Sequence, residues 1–371
     1  MPTDLGAAAS SPRARRDGAA TRRLTVVSVL GTRPEVIQAA ALSAALRERM
    51  HEVLVNTGQH YDANMDADQI VDTGLGTPSY NLGLGTGGCG HVELARRQLS
   101  RLIAHERPDA VIVRGDTDSA LAGARAASDA GVPLVHVEAG LRSFSDSMPE
   151  ERNRVEIDHL ADLLIAPTET ARRNLERDGA IGTVHVCGDV LLDMLMRTRE
   201  HLPASHEPRP YALATIHRAQ TTDDLALLAR AFACLAAMPS RVILLLHPRT
   251  RARLRASSIE VPTNVELREP VTYSRMLALE RDAAVVLTDS GGVQREAYMW
   301  GVPCITLRDE TEWVETVETG WNTLVGLDST RLLEALARPL PRTRPSLFGD
   351  GRAAQRIAGV IEDALRSGSL R

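Results

Sequence analysis

The stretch Ala283-Ala284-Val285-Val286-Leu287-Thr288-Asp289-Ser290-Gly291-Gly292-Val293-Gln294-Arg295-Glu296 joins an apolar run of strand length to a helical pattern through Ser-Gly-Gly. A helix start leaves backbone N–H groups unpaired at the positive end of its dipole, and two glycines put no side chain in front of them. The turn therefore reads as a seat for a phosphate. Glu296 follows about one helical turn after Gly292, where a carboxylate reaches the diol of a ribose attached to that phosphate. Asp-Ser-Gly-Gly also serves as an ordinary strand-to-helix turn, so its meaning depends on its surroundings.

Outward from that turn, short Val/Ile/Leu runs alternate with helical patterns in two series. The first predicts strands at Leu24–Leu30, Glu52–Asn56, Ala110–Val113, Leu134–Val137, Leu163–Ala166 and Thr183–Val186. The second predicts Ala212–Thr215, Val242–Leu246, Val265–Leu267, Ala283–Leu287, Cys304–Leu307 and Thr323–Val325. Near-continuous apolar strands separated by helices argue for parallel sheets covered on both faces. The fold class expected is α/β, with two doubly wound Rossmann-like domains facing a central cleft. The polar stretch His201–Pro210 (HLPASHEPRP) reads as the linker, which divides the chain into an N-terminal domain over 24–205 and a C-terminal domain over 206–345. Residues 346–371 are expected to form a helix packing back on the N-terminal domain. Residues 1–23, rich in Ala, Ser, Gly and Arg without apolar periodicity, read as a disordered basic arm rather than a secretory signal.

Composition narrows the chemistry. A chain of 371 residues suits two domains. A net charge of -5 lacks the basic face that nucleic-acid recognition needs, and no apolar run is long enough to span a membrane. Cys89, Cys187, Cys234 and Cys304 show no Cys-x-x-Cys spacing, which points to a reducing cytoplasm and to neither a zinc site nor a disulfide framework. All 43 basic residues are arginines, so neither a lysine-dependent nucleotide triphosphatase loop nor a Schiff base can be built. Anions must be met by arginine, histidine and backbone amides.

Most polar residues of interest stand where strands end: Gly31-Thr32-Arg33-Pro34-Glu35, with Gly31 for a tight turn and Pro34 suited to the first helical position, then Thr57-Gly58-Gln59-His60-Tyr61-Asp62, Gly115-Asp116-Thr117, His136 to Ser143 and Thr215-Ile216-His217-Arg218. Singly, an acidic residue at a strand end is more often a helix cap or an ion-pair partner than a catalyst. Several such ends converging on one cleft shift that balance.

Taken together, GTRPE (Gly31–Glu35), TGQHYD (Thr57–Asp62), GDT (Gly115–Thr117), HVEAGLRS (His136–Ser143), PEERNR (Pro149–Arg154), APTET (Ala166–Thr170), Gly188-Asp189, His217-Arg218, TDSGGVQREA (Thr288–Ala297) and TEWVE (Thr311–Glu315) resemble the non-hydrolysing UDP-N-acetylglucosamine 2-epimerases. Those enzymes have the two-domain glycosyltransferase-B architecture. The resemblance implies interconversion of UDP-GlcNAc and UDP-ManNAc by elimination of UDP to 2-acetamidoglucal and its re-addition with C2 inverted. It implies that Asp116, Glu138, Glu150 and His217 are catalytic, with His217 stabilising the leaving UDP. Which carboxylate is base and which acid is not legible in the sequence; the division expected here has Glu138 and Glu150 handling the C2 proton on opposite faces while Asp116 supports charge or orientation. Substrate or UDP binding falls to Arg33, Gln38, Arg154, Tyr273, Ser290, Gly291, Gly292 and Glu296. His247, at a strand end, is either a further ligand contact or a satisfied structural histidine. No metal or nicotinamide is required, because arginine, histidine and amides neutralise the diphosphate and no hydride moves. A homodimer is implied by resemblance alone.

Five positions depart from the family pattern. Gln38 stands where an active-site lysine is usual, so either a nearby arginine substitutes, turnover is slower or the substrate differs. Gln220 replaces a common glutamate, Trp313-Val314 replaces Arg-Pro, and Asp62 replaces a glutamine associated with allosteric activation by UDP-GlcNAc. Trp300, Trp313 and Trp321 read as packing anchors. A hydrolysing relative, an epimerase of a related UDP-diacetamido sugar, a glycosyltransferase of the same architecture and a silent nucleotide-sugar sensor remain as alternatives.

Overall fold

Apolar runs of strand length bury both faces only between layers of helices, and the chain folds accordingly. The computed structural model describes residues 22–59, 72–85, 90–145, 148–246 and 248–370. The first sheet contains β1 (Thr25–Leu30), β2 (His51–Asn56), β3 (Tyr80–Asn81), β4 (Ala110–Arg114), β5 (Leu134–Val137), β6 (Leu163–Ala166) and β7 (Thr183–Val186) in the order β3-β2-β1-β4-β5-β6-β7. The second contains β8 (Tyr211–Ile216), β9 (Arg241–Leu246), β10 (Val265–Arg268), β11 (Val285–Thr288), β12 (Cys304–Thr306) and β13 (Asn322–Leu324) in the order β10-β9-β8-β11-β12-β13. Every pairing is parallel. Both units are doubly wound, as the alternation of runs predicts.

Strand order reverses between β1 and β4 in one sheet and between β8 and β11 in the other. Connections leave in opposite directions at such a switch point, so a crevice opens beyond the carboxyl ends of those strands. The turns after β1, β4, β8 and β11 stand at these switch points, where ligands of open parallel sheets bind. They carry Arg33, Asp116, His217 and Ser290 in turn.

Two readings from the sequence need correction here. Gly31 does not adopt a left-handed conformation. A Cβ there would meet Ser119 Oγ at 2.0 Å and Thr57 Oγ1 at 2.3 Å, so space rather than turn geometry requires the glycine. Pro34 is the second, not the first, residue of the helix Arg33–Arg49.

Beyond β13 the chain returns to the first unit. The helix Ala353–Ser367 lies against Arg33–Arg49, burying Ala353, Ala354, Ile357, Ala358 and Ile361 in the same apolar cluster as Leu42 and Leu46. Asp193 accepts the amides of Ala353 and Ala354 at 3.0 and 2.7 Å, which caps this helix from the first unit. At the other end of the sequence, Arg22 pairs with Asp109, and Arg23 donates to the Met50 carbonyl at 3.1 Å. Among the described residues no helix is long and apolar enough to cross a membrane, and Cys187, Cys234 and Cys304 are buried free thiols.

Candidate active site

The first sheet presents carboxylates, each held by its own partners. Glu35 turns back from the third position of its helix and accepts from the amides of Gly31 and Thr32 and the hydroxyls of Thr32 and Thr117, at 2.8 to 2.9 Å. It thereby joins the turns after β1 and β4. Burial pushes its carboxyl up to about 7 in spite of those bonds. Asp116, in the turn after β4, pairs with Arg154, whose Nη1 also lies 2.5 Å from Glu151 and whose Nη2 lies 4.0 Å from Glu312. The buried Arg154 is thus surrounded by carboxylates. His136 on β5 fixes this turn from below, with Nε2 2.8 Å from the Gly115 carbonyl and Nδ1 2.7 Å from Asp158.

Glu138 follows β5 with a left-handed backbone, φ 72°, a conformation that costs a non-glycine residue energy and recurs at functional sites. Its Oε2 accepts from Gln38 Nε2 at 3.1 Å, and its Oε1 lies 2.6 Å from Arg295 Nη1. Burial raises the Glu138 carboxyl above its usual range, Arg295 opposes that rise, and Asp189 adds to it. Glu150, on the first turn of the helix Pro149–Leu160, is exposed and has no ion pair among the described residues.

The second sheet presents backbone. Ser290 caps the helix Gly291–Trp300, accepting from the Val293 amide at 3.5 Å. Gly291 and Gly292 are partly exposed. A Cβ on Gly292 would find only Ser290 Oγ, at 3.7 Å, whereas one on Gly291 would approach Trp313 Nε1 to 3.1 Å. Beside them, buried Asp289 accepts the amides of His217 and Arg218 and lies 2.8 Å from His217 Nδ1. Burial alone would raise the Asp289 carboxyl, but His217 and those amides hold it below its usual value. The half-exposed His217 ring is thereby oriented with Nε2 away from Asp289.

Glu296 lies behind the cradle, near Tyr273, Glu280, Arg295 and Arg33. Burial pushes its carboxyl up to about 7, against Tyr273 and Arg295. Burial also raises Glu280, which faces it, and the Tyr273 hydroxyl well above their usual values.

Direct bonds tie the two rims together. Arg33 Nη2 donates to the Val271 carbonyl at 2.8 Å, Thr168 Oγ1 donates to Glu315 at 2.6 Å, and Asp72 accepts from the Ser274 amide and hydroxyl. The structure therefore groups Arg33, Gln38, Asp116, Glu138, Arg154, His217, Tyr273, Ser290, Gly291, Gly292 and Glu296 around one interdomain boundary, and it gives Glu150 no bond to any of them. His247, like His60, Tyr61 and Asp62, lies outside the described residues. Trp313 is buried, edge-on to Phe348 at 5.6 Å between ring centres.

Sequence reasoning assigned no role to two residues of this network. Arg295 pairs with both Glu138 and Asp189 and lies over the Trp313 ring at 4.1 Å. Glu312 gathers Arg308 and Arg218 besides Arg154, and these arginines hold its buried carboxyl down at about 2 although burial alone would raise it. The available signal was the run Gln294-Arg295-Glu296 inside a helix whose residues 293–298 are all buried. Charges on such a helix need partners from elsewhere.

Comparison with known proteins bears on this arrangement. The family described as UDP-N-acetylglucosamine 2-epimerase matches residues 44–362. The UDP-N-acetylglucosamine 2-epimerase of Methanocaldococcus jannaschii is 38% identical over 358 residues, 90% of this chain and 97% of that protein. The UDP-2,3-diacetamido-2,3-dideoxy-D-glucuronate 2-epimerase of Pseudomonas aeruginosa is 39% identical over 356 residues, 91% of this chain and 99% of that protein. The crystal structure of the Methanocaldococcus jannaschii UDP-GlcNAc 2-epimerase in complex with UDP-GlcNAc and UDP resembles the fold with TM-score 0.84 at 36% identity, covering 92% of this chain and 99% of that one.

Proposed function

The chain belongs to the UDP-N-acetylglucosamine 2-epimerase family, and we propose that it interconverts UDP-GlcNAc and UDP-ManNAc without net hydrolysis. No carbonyl acidifies the C2 proton of such a sugar, so departure of UDP must assist its removal. Cleavage of the C1–O bond sends the electron pair to the β-phosphate oxygen and leaves an oxocarbenium-like C1. A carboxylate then takes the C2 proton, and the C2–H electrons form the C1–C2 double bond of 2-acetamidoglucal. In the return step a proton reaches C2 from the opposite face while a β-phosphate oxygen of UDP re-forms the bond to C1. Atoms and charge balance with no added reactant.

One observation carries this reading: the Glu138 carboxylate is paired at 2.6 Å with an arginine of the same helix whose first turn forms the Ser290–Gly292 cradle. Proton acceptor and leaving-group seat are thus separated by one side chain, as an elimination requires. In the proposal Glu138 removes the C2 proton from one face and Glu150 serves the other, with Asp116 supporting charge at C1. Asp289 holds His217 so that Nε2 can donate to the departing phosphate, and Glu296 holds the ribose. Ser290, Gly291 and Gly292 grip the diphosphate, with Arg33, Gln38, Arg154 and Tyr273 completing the contacts.

Incubation with UDP-GlcNAc in D2O, followed by proton NMR, tests the proposal. Deuterium at C2 and a UDP-linked manno product are expected. Free N-acetylmannosamine with UDP would instead establish hydrolysis, and absence of exchange would overturn the assignment. The Pseudomonas aeruginosa relative makes UDP-2,3-diacetamido-2,3-dideoxy-D-glucuronate the second substrate to assay. Faster exchange with that sugar would move the specificity to it.

A further inference from the structure

Arg295 occupies a position that packing alone does not explain. Its Nε donates to the Gly291 carbonyl at 3.4 Å, within the turn that forms the phosphate seat. The guanidinium lies over the Trp313 ring, and its Nη1 reaches both Asp189 Oδ2 at 2.7 Å and Glu138 Oε1 at 2.6 Å. Asp189 is itself fixed, since its other oxygen caps the helix Val190–Thr198 by accepting from the Leu191 amide at 2.8 Å. A structural pair would be complete with Asp189 alone. The additional approach to Glu138 leaves one cation shared between two carboxylates.

The charged groups facing Glu138 are few. Arg295 reaches it from the helix Gly291–Trp300 and Arg154 acts on it from Pro149–Leu160, while the anions Asp189 and Asp116 face it from the turns after β7 and β4. Gln38, from Arg33–Arg49, contributes one neutral hydrogen bond. Arg154 is committed to Asp116 and Glu151, so Arg295 is the cation in direct contact with Glu138.

We propose that Arg295 is the positioning residue for the C2 base: paired with Glu138 across the interdomain boundary, it supplies the positive charge that Gln38 lacks. The inference rests on the epimerase reading and adds a dependence to it. Because Arg295 rides on the cradle helix, Glu138 meets its cation when the two rims are together. Trp313 and Asp189 hold the guanidinium in place.

The test is the pH profile of C2 exchange in D2O, measured between about pH 6 and pH 9 for the wild type, Arg295→Lys, Arg295→Met and Asp189→Asn, with UDP affinity measured alongside. A base acts when deprotonated, and removing a contacting cation makes deprotonation harder. The acid limb of Arg295→Met should move up by about one unit or more, lowering exchange roughly tenfold or more at pH values on that limb with recovery at the alkaline end. Arg295→Lys should restore most of that limb. Asp189→Asn, which retains a capping oxygen while releasing Arg295 to Glu138, should move the limb down. UDP affinity should change less than about threefold in each, since the Ser290–Gly292 amides stay in place even where the long 3.4 Å bond from Arg295 to the Gly291 carbonyl is lost. If the Met variant binds UDP normally but loses exchange equally at every pH, or keeps the wild-type profile, the inference falls. Should the Met variant fail to fold, the opposite displacements expected of Lys and Asn decide it, and coincidence of those two with the wild type overturns it. Failure of the wild type to exchange at all would instead overturn the epimerase reading, and this inference with it.

Discussion

The two rims that meet at the interdomain boundary are built on opposite plans. On the first sheet nearly every polar group is already engaged: Asp116 with Arg154, Glu151 with Ser143 and Arg154, Glu35 with four donors, Glu138 with Gln38 and Arg295. On the second, Ser290, Gly291 and Gly292 present a helix start with side chains nearly absent, beside a half-exposed histidine. Charges fixed in advance act on a transition state without reorganising, whereas a bare helix start is free to accept an anion. Under the proposed function, the difference separates a rim arranged for reaction from a rim arranged for grip.

The largest expected effect falls on the reactive rim. Glu138→Gln should lower C2 exchange by about a thousandfold while leaving UDP affinity nearly unchanged. A comparable loss of UDP binding, measured by calorimetry, would erase the distinction between the rims. Next comes the grip. Glu296→Gln should weaken UDP binding by roughly ten- to a hundredfold through loss of charge-assisted bonds to the ribose. Since the Glu296 carboxyl stands at about 7, wild-type affinity should fall as pH drops through that value, the protonated acid being the poorer acceptor. The Gln variant retains the titration of UDP itself, so the difference between the two curves isolates Glu296, and parallel curves would remove it from the ribose.

A pair of glycines sharpens the contrast further. Gly31→Ala forces a methyl group against Ser119 and should cost about 1–3 kcal/mol of stability, visible as a lower melting temperature. Gly292→Ala has room in the fold, so its melting temperature should hold while UDP affinity drops roughly tenfold. The reverse pattern would mean that the second turn is structural and the first is not. The smallest effect belongs to Gln38→Ala, which removes one neutral hydrogen bond worth about 0.5–1.5 kcal/mol, within a factor of about ten in exchange rate. A displacement of the acid limb equal to that of Arg295→Met would return the decisive contact to Gln38.

Legibility in the sequence followed physical range. Apolar runs such as Ala110–Val113 and Val242–Leu246 became strands because burial on both faces is a local demand, whereas β3, just Tyr80 and Asn81, has no apolar run to announce it. Motif order carried the fold and the residues of the two rims. The pairing of Arg295 with Glu138 left no trace, because a contact between residues so far apart in the chain has no periodicity. Gly31 was legible as a glycine but not for its reason, since Ser119 and Thr57 approach it from other turns. The departure at Gln38 was visible, and the position of the compensating guanidinium was not.

The return of the last helix to the first unit has a mechanical consequence. The backbone crosses between the units once near residues 201–210 and again between β13 and the helix Ala353–Ser367, whose start is capped by Asp193. A body held by one tether can swivel, while a body held by two is restricted to opening and shutting about the line that joins them. Any motion about that line keeps Arg295 and Glu138 in the same register, so the second crossing acts as a guide rail for a contact that neither unit could align alone.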